Sequence, residues 1–213
     1  MYAIFCANSG GYRDFMEQNE QLLLEKAKAG DVAAFEELIE AYQKKVFNLA
    51  LRMIGNADDA ADLAQEAFIR IFKAISGFKE QSSFSTWVYR ITTNVCLDEI
   101  RKRKNRRVIS LDEELHMDDG DIKRQVESDG PRPDEAAERE ELRRIVNEAI
   151  NSLPVEQRTA ITLRDLNGMS YDQIAQILDC PAGTVKSRIN RARQALKNVL
   201  SARRELLYED YVK

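Results

Sequence analysis

The stretch that decides the fold runs from Ser170 to Leu196 and reads SYDQIAQILDCPAGTVKSRINRARQAL. Ser170 and Gln173 have the spacing of a capping box, which predicts a short helix over residues 171–178. The residues around Pro181 predict a tight turn, and a longer basic helix follows it. A short helix, a tight turn and a second helix form the helix-turn-helix arrangement, whose second helix lies in the major groove of DNA.

The basic helix has one apolar side and one polar side. Val185, Ile189, Ala192 and Leu196 recur three and four residues apart, which predicts that they face inward. The outward side chains, and the helix N-terminal amides near Gly183 and Thr184, suit base edges and phosphates. A solvated surface helix is the alternative, but the capped helix and the turn favour DNA binding. The residues we assign to it are Thr184, Lys186, Ser187, Arg188, Asn190, Arg191, Arg193, Gln194 and Lys197.

The rest of the chain also shows helical periodicity, with no convincing strand. We predict an all-α protein made of two small helical domains joined by a flexible acidic linker, the C-terminal domain being the helix-turn-helix. Four helices are predicted to close the core of the N-terminal domain: residues 20–29, 31–54 (Asp31 as N-cap, Gly55 as stop), 57–76 and 85–106. The predicted boundaries are an extension over 1–15, domains over 16–107 and 134–213, and a linker over 108–133.

Charge is distributed in blocks that the net charge of −4 conceals. Residues 101–107 hold six basic and no acidic side chains, and residues 184–204 hold seven basic and no acidic ones. Residues 112–141, between these blocks, hold thirteen acidic and four basic side chains. Two basic blocks of this kind predict two surfaces that face a polyanion.

Several function classes are disfavoured by composition. The three cysteines are far apart in sequence and His116 is the only histidine, which disfavours a disulfide scaffold or a zinc site and fits a reducing cytoplasm. No apolar run approaches the length of a membrane span, so we expect no integral membrane segment. We also expect no cofactor, no metal and no catalytic residue.

Two other hypotheses use parts of the same sequence. Asp58-Asp59-Ala60-Ala61-Asp62 spells DDxxD, a magnesium-binding pattern of all-helical diphosphate enzymes, although a second acidic motif facing one cavity is missing. A stand-alone transcriptional regulator could use the same helix-turn-helix. Such a regulator would bind duplex DNA without polymerase, and the sequence offers no dedicated dimerisation helix.

Three blocks resemble the extracytoplasmic-function sigma factors of bacterial RNA polymerase, in particular the sigma-E/sigma-W-like subgroup. SLPVEQRTAITLRDLNGMSYDQIAQILDCPAGTVKSRINRARQAL is similar to their region four. DDAADLAQEAFIRIFKAI is similar to region 2.2, and FSTWVYRITTNVCLDEIRKRKNRR to regions 2.3 and 2.4. The resemblance implies a sigma factor that acts in stress responses, binds the clamp coiled coil and the flap of core polymerase, selects promoter DNA and is regulated by an anti-sigma factor.

The resemblance also implies roles for the N-terminal domain. A stripe on the third predicted helix would bind the polymerase clamp: Asp59, Asp62, Gln65, Glu66, Ile69, Arg70 and Lys73. Asn94 would hydrogen-bond a flipped base of the melted minus-ten element, in a pocket with Phe78 and Ile91 read by the loop from Gly77 to Phe84. Aromatic side chains would stack on the bases of this strand and basic side chains would follow its phosphates. The residues assigned to minus-ten DNA are Phe78, Trp87, Tyr89, Arg90, Ile91, Asn94, Arg101, Lys102, Arg103, Lys104, Arg106 and Arg107. Trp87 and Tyr89 fit a core position equally well.

The helix-turn-helix would read the minus-thirty-five element as duplex DNA. Lys186 and Asn190 depart from the residues common in the family, which are arginine and an aromatic residue, so the base preference of relatives does not carry over. Family members also begin near Met16, which is why residues 1–15 are expected to be an extension.

Overall fold

The computed structural model describes residues 9–110 and 144–211, with the side chains of residues 19–106 and 144–201. Within these ranges every regular element is helical, which confirms the all-α prediction. The chain divides into two compact units. The first comprises Met1–Leu51 and Asn56–Val95, and the second comprises Arg52–Gly55 and Cys96–Lys213.

Four long helices form the N-terminal part of the fold. They are α1 (Ser9–Lys28), α2 (Val32–Ile54), α3 (Ala57–Ala74), which continues into a 3-10 turn over Ile75–Gly77, and α4 (Phe84–Ser110). The predicted start of the first helix at residue 20 is wrong, because α1 begins at Ser9. Residues 9–19 contain two glycines and few apolar side chains, so no apolar stripe revealed this part of the helix.

Capping interactions fix the ends of α2 and α3. The Asp31 carboxylate accepts a hydrogen bond from the Ala34 N–H at 3.1 Å, as predicted for an N-cap. Gly55 ends α2 with a left-handed φ of +85°, a conformation that glycine adopts without steric cost. The Asn56 side chain then accepts from the N–H groups of Asp58 and Asp59 and starts α3.

The core of the first unit lies between α2, α3 and α4. α3 contributes a stripe of small residues, Ala60, Ala64 and Ala67, which continues to the fully buried Ile71. Alanine at these positions leaves room for the large side chains of α2 and α4. Those side chains include Phe35, Leu38, Ile39, Tyr42, Val46, Phe84, Trp87, Val88 and Val95.

The C-terminal part of the second unit is a series of short helices followed by one long helix. Residues 144–151 form the described part of α5. It is followed by α6 (Val155–Ile161), a π-helical turn (Thr162–Leu166), α7 (Tyr171–Leu178) and α8 (Ala182–Tyr211). The π-helical turn directly continues α6. The extra residue of a π turn, closed by the Asn167 N–H donating to the Thr162 carbonyl at 3.1 Å, leaves no signature in apolar spacing.

The helix-turn-helix forms as predicted. Ser170 and Gln173 make both hydrogen bonds of the capping box, and α7 has the predicted bounds. Asp179 ends α7 in the left-handed conformation, with φ of 48°, and Pro181 precedes α8. α4 continues to Ser110, so the first three residues of the predicted linker, 108–110, are helical. The remainder of the predicted linker, and the predicted start of the C-terminal domain at residue 134, lie outside the described residues.

Candidate nucleic-acid interface

The outward side of α8 presents a row of hydrogen-bond donors. Val185, Ile189 and Ala192 are each 0% exposed and anchor the helix against the rest of the second unit, as predicted. The opposite side is exposed at Lys186, Ser187, Asn190, Arg191, Gln194 and Lys197. These side chains offer ammonium, guanidinium, amide and hydroxyl groups, which are the groups that read base edges in the major groove.

The other three residues assigned to this surface lie at its margins. Arg193 is exposed, but its guanidinium donates two hydrogen bonds to the Asp165 carboxylate, and this interaction raises the pKa of the guanidinium. Arg188 is half-buried and donates to the Cys180 thiol at 3.7 Å. Thr184 is half-buried as well. The structure therefore gives Arg188 and Arg193 partners within the protein itself.

The start of α8 has fewer open amides than the sequence suggested. The Thr184 N–H, predicted as a phosphate donor, already donates to the Pro181 carbonyl at 2.8 Å. The Ser187 hydroxyl donates to the Thr184 carbonyl at 2.8 Å. A phosphate contact here would use the exposed Gly183 rather than Thr184.

A second surface lies on α4. Trp87, Ile91 and Asn94 follow one another at four- and three-residue spacing, so they share one side of the helix. Trp87 is buried, Ile91 is half-buried and Asn94 is exposed, so the exposure of this side of α4 increases from Trp87 to Asn94. Phe78 packs on Trp87 with ring centroids 5.0 Å apart. Of the three residues of the predicted base pocket, Phe78 is buried, Ile91 packs against the core cluster that contains Phe78, and the Asn94 amide is exposed.

The aromatic residues assigned to stacking are core residues in the structure. Phe78, Trp87 and Tyr89 are 6%, 8% and 6% exposed. Phe78 and Trp87 also contact Phe84 at centroid distances of 5.8 Å each, which completes an aromatic cluster. Most of each side chain is therefore packed inside the protein, which is the core position that the sequence also allowed for Trp87 and Tyr89, and their stacking roles stay predictions. Arg90 and Asn94 are exposed polar residues on the same part of α4.

The C-terminal end of α4 is basic and exposed. Arg101, Lys102, Lys104 and Arg106 are exposed, while Arg103 is half-buried and donates to Glu99 at 2.9 Å. Arg101 contacts Asp98 at 3.3 Å. The side chain of Arg107 lies outside the described residues. The exposed cations can follow a phosphate backbone, with part of the charge of Arg101 and Arg103 balanced within the helix.

The stripe on α3 has mixed chemistry. Asp62, Gln65, Ile69, Arg70 and Lys73 are exposed, and Asp59 and Glu66 are half-buried. Arg70 donates to Glu66 one turn earlier at 2.8 Å, and Ile69 leaves 43% of its surface open among these polar groups. Carboxylates repel phosphates, so this stripe suits a protein partner better than DNA.

The DDxxD motif shows no metal-site geometry. Asp58 and Asp59 occupy the first turn of α3, where their carboxylates complement the positive end of the helix dipole. Across the part of the chain that the structure describes, no group of three potential ligands is placed to hold a metal ion. Nor does any helix there have the length and apolarity to span a membrane.

Two models of sigma-factor regions match the chain. Residues 38–106 match Sigma-70 region 2, and residues 143–196 match Sigma-70, region 4. The chain is 39% identical to the ECF RNA polymerase sigma factor SigW of Bacillus subtilis over 87% of its length and 98% of the relative's. It is 41% identical to the ECF RNA polymerase sigma-E factor of Escherichia coli K12, over 84% of this chain and 93% of that protein.

Two solved structures that are similar to this chain also contain sigma factors or proteins solved with a bound partner. The sigma factor RpoE of Bartonella quintana, solved with the anti-sigma factor NepR, matches with a TM-score of 0.64 and 26% identity, covering 80% of this chain and 98% of that one. CnrH, solved with the cytosolic domain of CnrY, matches with a TM-score of 0.61 and 26% identity, covering 86% and 98%. These matches decide against both the diphosphate enzyme and the stand-alone regulator.

Proposed function

Because this chain belongs to the extracytoplasmic-function (ECF) sigma factors of RNA polymerase, we propose that its two exposed DNA-facing surfaces divide promoter recognition between them. The protein directs promoter-specific transcription initiation together with core RNA polymerase, and it is not an enzyme. In our proposal α8 reads the minus-thirty-five element as duplex, and α4 with the 78–84 loop captures the minus-ten strand. The domains responsible are those over residues 16–107 and 134–213, joined by the linker between them.

The observation that carries the proposal is the outward side of α8. Val185, Ile189 and Ala192 on its apolar side are fully buried, so the helix cannot rotate without breaking their packing. The exposed Lys186, Asn190 and Arg191 are therefore held at fixed positions along one side. Arg191 offers a bidentate contact to guanine and Asn190 a bidentate contact to adenine, each of which discriminates between bases by about 1–3 kcal/mol.

Recognition of the minus-ten element depends in our proposal on Asn94. Extruding a base from the stack costs a few kcal/mol, and a shaped pocket with a hydrogen-bonding amide can offset that cost. In this proposal the half-buried Ile91, which packs against the core cluster of Phe78 and Trp87, provides an apolar floor, and the exposed Asn94 provides the amide. Arg90 and the exposed cations of residues 101–106 supply the attraction to phosphates.

The α3 stripe is the proposed docking site for the polymerase clamp coiled coil, and the flap is proposed as a further contact of the C-terminal domain. Ile69 is an exposed apolar side chain with charged groups around it. In protein interfaces such a residue becomes buried at the centre on binding, and the charged groups form the polar rim. The solved relatives carry an anti-sigma factor or the cytosolic domain of CnrY. We propose an anti-sigma partner for this chain too, and cytoplasmic action, since it acts on DNA with RNA polymerase.

Run-off transcription tests the proposal. The purified chain is mixed with core RNA polymerase and templates from its own genome. We expect a holoenzyme that initiates from a defined set of promoters, and weak DNA binding by the chain alone. A chain that binds specific duplex DNA without polymerase and selects no template with it would contradict the proposal.

A further inference from the structure

The loop between the 3-10 turn and α4 is fixed at both of its ends. Phe78 and Phe84 are 6% and 5% exposed, and their rings lie 5.8 Å apart in the aromatic cluster. At the C-terminal end the Ser83 hydroxyl accepts from the Thr86 N–H at 3.2 Å and shares a hydrogen bond of 2.8 Å with the Thr86 hydroxyl. Only the four residues 79–82, between Phe78 and Ser83, are held by neither of these interactions.

The middle of this loop has an unusual backbone conformation. Glu80 has a φ of 56°, one of two non-glycine residues with positive φ among the described residues. This left-handed conformation brings Cβ close to the following carbonyl, so a glutamate adopts it only where its surroundings impose it. Glu80 is exposed, so core packing does not impose it.

A salt bridge to α1 holds Glu80 in place. The Lys28 ammonium donates to a Glu80 carboxylate oxygen at 2.8 Å, across 52 residues of sequence. The hydrogen bond and the charge of Lys28 lower the pKa of Glu80, so the carboxylate keeps its negative charge at neutral pH. One side chain of α1 thus holds the one residue of the loop that has a left-handed backbone.

We propose that Lys28 acts on minus-ten recognition as a positioning residue, by clamping Glu80 and holding the 78–84 loop in the shape that accepts the extruded base. This inference rests on the proposed role of the loop and of Asn94. Its physical basis is preorganisation, because a loop that is already ordered before DNA arrives loses less conformational freedom on binding. Lys28 itself touches no base in this account.

The test is minus-ten discrimination by the complete holoenzyme. Open-complex formation is measured on the preferred promoter and on promoters with single minus-ten substitutions, for Lys28→Ala and Glu80→Ala. Each variant should lose roughly three- to tenfold of the discrimination ratio, the cost of ordering one or two side chains on binding. The charge reversal Lys28→Glu with Glu80→Lys should restore most of it. Lys26→Ala, on the same helix but without this bond, is the matched control and should change nothing.

Glu80→Gly separates positioning from stability. Glycine removes the backbone strain, so the melting temperature should stay or rise, while discrimination should fall because the clamp is lost. Asn94→Ala separates the clamp from the proposed function. If Asn94→Ala lowers discrimination while Lys28→Ala and Glu80→Ala keep the wild-type ratio, the clamp is refuted and the proposed function stands. If neither Asn94→Ala nor the clamp variants alter minus-ten discrimination, the minus-ten assignment fails and the clamp fails with it.

Discussion

Arg193 and Asp165 form a bidentate ion pair across 28 residues of sequence. The guanidinium Nη2 donates to Oδ1 at 2.6 Å and Nε donates to Oδ2 at 3.1 Å. Asp165 belongs to the π-helical turn and Arg193 to α8, so the pair ties the turn to the flank of the DNA-facing helix. Arg193 therefore differs from Arg191, although the two lie only two residues apart.

We predict opposite effects for alanine at these two arginines. Arg193→Ala should lower the melting temperature by about 1–3 °C, the effect of one partly exposed ion pair, and should leave minus-thirty-five base preference unchanged. Arg191→Ala should leave the melting temperature unchanged and weaken use of the minus-thirty-five element by about tenfold. Thermal melts and transcription from minus-thirty-five promoter variants check both. A change in base preference with Arg193→Ala would show that the ion pair opens on DNA.

The capping box of α7 provides a prediction about stability. Ser170→Ala removes the acceptor for the Gln173 N–H, which is bonded at 3.2 Å, and should cost about 1 kcal/mol of folding free energy. The change should be visible as a lower melting temperature of the full chain. Ser201→Ala, at an exposed serine of α8 that starts no helix, is the control. Equal melting temperatures for the two variants would mean that α7 does not depend on its cap.

Polymerase binding should depend on Ile69. Ile69→Asp should lower the affinity for core polymerase by at least about tenfold, because a charge would be buried at the centre of the interface. Leu22→Asp is the matched control, since Leu22 is an apolar residue of the first unit outside the α3 stripe, with an exposed fraction of 50% against 43% for Ile69. Competition binding of the labelled chain to core polymerase measures both. Equal losses for the two variants would argue against a specific role of the stripe.

The buried cysteine should be chemically inert. Burial raises the pKa of the Cys96 thiol to about 12, whereas a free cysteine has a pKa of about 8.5. Iodoacetamide at pH 8 should modify the half-buried Cys180 in the native chain and reach Cys96 only after denaturation. Peptide mass mapping separates the two sites. Alkylation of native Cys96 at the rate of Cys180 would contradict its burial.

The same pKa shift gives a dependence of stability on pH. The folded pKa of Cys96 lies above its unfolded value, so the contribution of the neutral thiol to stability is complete below about pH 8.5. This contribution is lost as the pH rises from there towards 12, because the thiol of the unfolded chain releases its proton at a lower pH than the buried thiol does. In the Cys96→Ala variant the free energy of unfolding should therefore decrease less between pH 9 and pH 11 than in the wild-type chain.

The sequence predicted those elements whose apolar spacing and caps agree. α7 and its capping box, the Asp31 cap of α2 and the buried Val185, Ile189 and Ala192 of α8 are confirmed. In each case the local preference of the sequence, from a cap or from apolar spacing, agrees with the packing of the folded chain. The three blocks that resemble sigma-factor regions predicted the family to which the chain belongs.

The sequence could not predict features that depend on contacts between distant residues. The π turn is stabilised by Asp165 reaching Arg193, and the left-handed Glu80 by Lys28, and neither pair has a local pattern. The aromatic residues of α4 illustrate a further limit. Tryptophan and tyrosine suit both stacking with bases and apolar burial, and only the position of Phe78 and Phe84 decides for burial of Trp87.

The central claim, that α4 and α8 each read a separate promoter element, is tested most directly by crossing protein variants with promoter variants. Open-complex formation is measured for wild-type, Asn94→Ala and Arg191→Ala holoenzymes on promoters altered in the minus-ten or the minus-thirty-five element. Asn94→Ala should lose sensitivity to minus-ten changes and keep its sensitivity to minus-thirty-five changes, and Arg191→Ala should show the reverse. If either variant loses its sensitivity to changes in both promoter elements, or keeps the wild-type sensitivity to both, the division of recognition between α4 and α8 is contradicted.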